Sequence, residues 1–173
     1  MKGTIVKCMQ ELVEKKFGAA KWLETVKRAG LDTNMRYVAT DDIADADVMK
    51  LVKAIGEVNS LSADQVIEAF GDYWSSVYAP SLYGIFFDRA KNTKELLSNL
   101  DHIHDVMTKS MKGAAPPHFT LDWQGEKVML MKYRSPRGLA MLMPGLIRGI
   151  AKHYKEHVKV DLVNDTVRVQ FPY

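Results

Sequence analysis

The 173-residue chain contains one cysteine, Cys8, so it can close no internal disulfide and offers no multi-cysteine zinc or iron–sulfur site. That count fits a reducing compartment, and the cytoplasm is the expected location. Long apolar runs are missing too. No stretch reaches the roughly 18 consecutive apolar residues that a membrane span requires, and the opening "MKGTIVKCMQELVEKK" carries charges every few positions instead of the apolar core of a signal peptide. Charge of one sign is nowhere concentrated. Lys and Arg total 24 against 21 Asp and Glu, a net charge of +3, with bases interspersed among acids, which gives nucleic-acid binding no support. No nucleophile with its base, carboxylate dyad or phosphate loop stands out, so an enzyme is not expected. What is present is the composition of an ordinary globular domain, 47% hydrophobic and 26% charged, with ten methionines. Methionine fills irregular core space and also adapts to large ligands.

Hydrophobic periodicity predicts helices through the first 112 residues. Ile5, Met9, Leu12 and Val13 share a face up to Gly18, and Trp22, Leu23, Val26 and Ala29 repeat the pattern up to Gly30. Val48, Leu51, Val52, Ile55 and Val58 form a third stripe. "SADQ" supplies a capping box, Ser62 with Gln65, for a helix running through Ile67, Phe70 and Trp74 toward Pro80. "APSLYGIFFDRAKN" reads as loop with a short helix, and a further helix is expected from about Thr93 to Met111. After "GAAPP" the period drops to two. "HFTLDWQ" and "KVMLMKYR" read as a hairpin across Gln124 and Gly125, and "VKVDLVNDTVRVQFPY" as two strands around Asn164 and Asp165. "GLAMLMPGLIRGIAKHYKEH" between them reads as a helix kinked at Pro144. One α+β domain over residues 1–173 is expected, an N-terminal helical part packed on a C-terminal antiparallel sheet with a helix.

Within "TKELLSNLDHIHDVMTKSM", Leu96, Leu97, Leu100, Ile103, Met107 and Met111 define an apolar stripe, and His104 falls inside it. His102, two positions earlier, lies about 160° away on the polar side. An imidazole on an apolar face serves one of two ends: a buried ring satisfied by a backbone carbonyl, or an axial ligand offered to a haem iron. Zinc is disfavoured, because Cys8, His118, His153 and His157 lie at no familiar ligand spacing to it.

Tyr133, Ser135 and Arg137 alternate in "KVMLMKYRSPR". On a strand, residues two apart share a face about 7 Å from one another. A forked guanidinium flanked by two hydroxyls would suit a doubly anionic edge such as a pair of haem propionates, and an exposed mixed polar edge is the plainer reading.

"MKGTIV", "NLDHIHD", "MKGAAPP" and "YRSPR" followed by "GLIRG" occur in the order and spacing of the H-NOX family, the haem nitric oxide/oxygen binding domains of bacterial sensors and soluble guanylate cyclase, which this sequence resembles over nearly its whole length. The resemblance implies an H-NOX fold with haem b, the iron complex of protoporphyrin IX, buried between its two parts. It implies His104 as the proximal iron ligand, Tyr133, Ser135 and Arg137 at the propionates, and Pro117 packed against the porphyrin. Ile5, Met9, Trp74, Leu142 and Leu146 match positions that line the gas-binding side.

Relatives that hold oxygen resemble one another in a tyrosine five residues after the motif arginine, where this chain has Leu142. Ferrous haem passes charge to bound oxygen and that complex gains from a donor, whereas nitric oxide binds without one. Nitric oxide sensing, with carbon monoxide as a second ligand, is therefore expected, and release of His104 with movement of its helix as the signal. An oxygen sensor using the Trp74 indole as donor is the alternative. Gly71 is either a hinge or a small residue at a helix contact. Expected partners are a histidine kinase, a diguanylate cyclase or a chemotaxis receptor module, and the chain is either a stand-alone sensor or part of a longer protein. Two rivals from other classes remain: a small-metabolite enzyme with His104 as base and Tyr133, Ser135 and Arg137 as anion grip, and a haem-free interaction domain.

Overall fold

Ser62 and Gln65 close the expected capping box. The Ser62 N–H donates to Gln65 Oε1 at 2.8 Å and the Gln65 N–H to Ser62 Oγ at 3.2 Å, satisfying donors that a helix start otherwise leaves open. The computed structural model describes residues 1–109 and 113–173, which divide into two compact units, Met1–Phe70 and Gly71–Tyr173.

The first unit holds α1 (Gly3–Phe17), α2 (Ala19–Arg28), α3 (Asp45–Asn59) and most of α4 (Ala63–Tyr73). Their apolar stripes supply its core: Val6, Met9, Leu12 and Val13 from α1, Trp22 and Val26 from α2, Val48, Leu51 and Ile55 from α3, and Val66 and Phe70 from α4 are all buried. Each such side chain contributes about 1.5–3 kcal/mol of transfer free energy.

In the second unit a π-helical turn, Trp74–Tyr78, leads into α5 (Ala79–Arg89), followed by α6 (Thr93–Ser98) and α7 (Leu100–Thr108). Strands β1 (His118–Gln124) and β2 (Val128–Arg134) come next, then a 3₁₀ turn (Ala140–Leu142), α8 (Met143–His153), β3 (Lys159–Val163) and β4 (Thr166–Gln170). The sheet is antiparallel with order β1-β2-β4-β3. Met129, Met131 and Tyr133 of β2 and Val167 and Val169 of β4 are buried in one cluster with Leu96 and Leu97 of α6, Ile103 of α7, and Ile147 and Ile150 of α8. Helices with an antiparallel sheet make this the expected α+β class, and Met129, Met131 and Met143 serve as core.

Three local expectations are corrected. "APSLYGIFF" is helical instead of looped: Pro80 falls in the first turn of α5, where its missing N–H costs nothing, and the irregularity is confined to a kink at Tyr83 (φ −126°, ψ 26°). The single helix expected from Thr93 to Met111 is two, divided at Asn99 (φ −102°, ψ 6°), whose side-chain amide donates to Glu95 O at 2.9 Å. Met111 lies outside the described residues. Pro144 opens α8 instead of kinking a longer helix, again because the first turn tolerates proline. Among the described residues no helix is long and apolar enough to cross a membrane.

Candidate functional site

Helix α7 carries the two histidines to different environments, as its period requires. Ile103 is buried, Leu100 and Met107 pack against the core, and His104 is half-buried beside them, while His102 is exposed. His104 Nδ1 stands 3.3 Å from the carbonyl oxygen of Pro117. A carbonyl can only accept, so the ring hydrogen resides on Nδ1 and Nε2 keeps its lone pair. Burial pushes the His104 pKa below its ordinary 6.5 against the opposing pull of the Pro117 bond, Asp101 and Asp105. The imidazole is therefore neutral near pH 7 and able to coordinate a metal through Nε2.

The segment that meets α7 is the start of β1. The Phe119 N–H donates to Asp101 Oδ1 at 2.9 Å, and His118 Nδ1 lies 3.7 Å from Asp101 Oδ2. The Phe119 ring stands between two expected site residues, 5.9 Å from the His104 ring and 6.0 Å from that of Tyr133, its register partner on β2. Periodicity could not have found Phe119, since its role depends on strand pairing. Asp101 lies one helical turn before His104 within "LDHIHD", and that spacing was its only signal in the sequence.

The expected row of three polar side chains along one strand does not form. Tyr133 lies within β2 with its ring buried, but the strand ends at Arg134. Pro136 has no N–H to continue the ladder, and the chain turns instead: the Ser135 hydroxyl accepts from the Arg137 N–H at 3.3 Å and Ser135 O from the Gly138 N–H at 3.3 Å. Arg137 Nη1 donates to Ala115 O at 2.6 Å. The triplet thus reaches the histidine through the 115–119 segment, Arg137 at Ala115, His104 at Pro117 and Tyr133 at Phe119.

The other expected residues occupy three places. Trp74 opens the π-helical turn, half-buried, its ring 5.5 Å from that of Tyr78. Leu142 ends the 3₁₀ turn and Leu146 is on α8, both half-buried. Ile5 and Met9 are on α1 of the first unit, half-buried and buried respectively. Among the described residues no group of three or more His, Cys, Asp or Glu could hold a metal ion.

Solved structures share this fold. An H-NOX protein from S. oneidensis in the Fe(II)NO ligation state matches with a TM-score of 0.89 at 19% identity, covering 100% of both chains. A Cs H-NOX mutant matches with a TM-score of 0.89 at 23% identity, covering 100% of this chain and 97% of that one. The fold of this chain is that of these H-NOX proteins. The model of the haem-NO-binding (HNOB) family matches residues 2–162, and the chain belongs to that family. Soluble guanylate cyclase gcy-34 of Caenorhabditis elegans is 24% identical over 159 residues, 88% of this chain and 23% of that protein. The chain spans less than a quarter of the length of such curated relatives.

Proposed function

We propose that residues 1–173 act as one sensor domain for nitric oxide, holding haem b with His104 as its single protein ligand to iron. The neutral imidazole with a free Nε2 lone pair carries this reading, since it is the form that coordinates ferrous iron. Haem supplies an iron atom with one position open to a diatomic gas. Arg137, Ser135 and Tyr133 would meet its propionates, a guanidinium being suited to a carboxylate pair. Pro117, tied to His104 through its carbonyl, would bear on the porphyrin, while Trp74, Leu142 and Leu146 would line the gas-binding face.

Leu142 has no hydrogen to donate, so the site lacks the tyrosine donor that favours oxygen and keeps what nitric oxide and carbon monoxide need. His104 would hold the iron, and its release on nitric oxide binding would free α7, which Asn99 separates from α6. The signal passes to a histidine kinase, a diguanylate cyclase or a chemotaxis receptor module in the cytoplasm. Purified protein should carry a Soret band in stoichiometric yield, and the ferrous form should give a five-coordinate spectrum with nitric oxide. Haem-free protein after loading, or a six-coordinate nitric oxide complex at equilibrium, would overturn the corresponding half of the proposal.

A further inference from the structure

One short stretch of backbone joins the guanidinium of Arg137 to the imidazole of His104. Arg137 Nη1 donates to Ala115 O at 2.6 Å, and two residues on, Pro117 O accepts from His104 Nδ1 at 3.3 Å. Between the two carbonyls lie Pro116 and Pro117, whose rings fix φ near about −65°. Each proline also restricts the residue before it to extended conformations, so Ala115 and Pro116 are confined as well. A displacement of the Ala115 carbonyl is therefore passed along the stretch instead of being absorbed in soft dihedrals. Its far end is pinned by the Phe119 N–H on Asp101 Oδ1 at 2.9 Å. Its near end follows Gly113 in a left-handed conformation (φ 74°), which leaves the guanidinium to fix where the stretch begins. Arg137 itself is held by the Ser135 turn.

We propose that Arg137 is a positioning residue for His104: by holding the Ala115 carbonyl it places the Pro117 carbonyl, and so orients the imidazole and sets the strength of its Nδ1 hydrogen bond. Guanidinium has five N–H donors, so one edge can grip a ligand carboxylate while another keeps Ala115. Occupancy of the anion grip is then felt at the imidazole without direct contact between the two residues. A lysine offers a point charge in place of a fork and would serve both partners poorly. This consequence rests on the proposed haem site, whereas the mechanical link does not.

The test is a double-mutant cycle on the full chain, with solvent exchange of the His104 Nδ1 hydrogen followed by ¹⁵N-histidine NMR. That readout needs no haem, so its result stands even if His104 proves not to be the iron ligand, a failure that the visible spectrum reports separately. Arg137→Gln should speed exchange about five-fold, the factor corresponding to one net hydrogen bond of typical strength, and Arg137→Lys should fall between. In a Pro116→Gly background, where the stretch is softened, Arg137→Gln should add nothing further. Unchanged exchange in Arg137→Gln, or the same five-fold increase in both backgrounds, would overturn the proposal.

Discussion

Gly71 and Gly145 approach so closely that a Cβ on Gly71 would stand 2.7 Å from the Gly145 carbonyl carbon and 2.7 Å from the Leu146 nitrogen. A Cβ on Gly149 would likewise meet Asp72 O and Ser75 Cβ at 2.8 Å. Bare backbone on both sides lets α8 lie against the turn that begins at Trp74, which places Leu146 and Trp74 on packed neighbours. Of the two roles the sequence leaves open for Gly71, hinge or helix contact, the contact is observed. Gly71→Ala should therefore destabilise the protein by about 1–3 kcal/mol, as overpacking does, and lower Tm by several degrees in a thermal melt. A Tm unchanged within a degree would contradict the contact.

On the proposed reading, Leu142 is the residue that disfavours oxygen. Reduced protein in air should show no oxygen complex that survives the recording of a spectrum, and Leu142→Tyr should lengthen its lifetime by at least about ten-fold, the worth of one good hydrogen bond to a charged acceptor. An oxygen complex of the unsubstituted protein that persists for hours would shift the donor role to Trp74.

Cys8 is fully buried on α1, and burial, aided by Glu11, pushes its thiol far above the ordinary 9.0. It should resist alkylation in the native protein and react once the chain is unfolded in urea, because the thiolate is the nucleophile. With the folded value above the unfolded one, the stability contribution is complete below pH 9.0 and is lost as pH rises beyond it. Cys8→Ala should flatten that alkaline decline in denaturation midpoints measured from pH 8 to 10.

Helix α6 has anchors of its own, separate from the Asp101 and His104 bonds that hold α7. Glu156 Oε2 accepts from the Thr93 N–H at 3.0 Å, Lys94 Nζ donates to Glu126 O at 2.6 Å and lies 4.7 Å from the centre of the Trp123 ring, and Leu96 and Leu97 are buried. Nitric oxide should accordingly raise hydrogen exchange at Leu100–Thr108 and leave Thr93–Ser98 unchanged. Equal change in both segments would mean that Asn99 does not uncouple them.

Much of this was legible beforehand, for physical reasons that differ by residue. The inward placement of His104 and outward placement of His102 follow from a 3.6-residue period that α7 obeys. The capping box at Ser62 and the hairpin turn at Asn164, with its φ of 55°, follow from local side-chain chemistry. The division at Asn99 was not legible, because an asparagine within an apolar stripe leaves the period intact while its side chain takes up a backbone carbonyl. Ser135 and Arg137 leave the face that alternation predicts because Pro136 ends the ladder and β2 stops at Arg134. Phe119 escaped notice because its neighbours come from strand register and helix docking, which no local pattern encodes.

The proposed role of His104 in holding haem iron is tested most directly by replacing its imidazole with one free in solution. His104→Gly should lose the ferrous Soret band of the purified protein and recover it, in stoichiometric yield, when imidazole is added. A His104→Gly protein that keeps an unaltered ferrous Soret band without imidazole would contradict the claim, since another residue would then hold the iron.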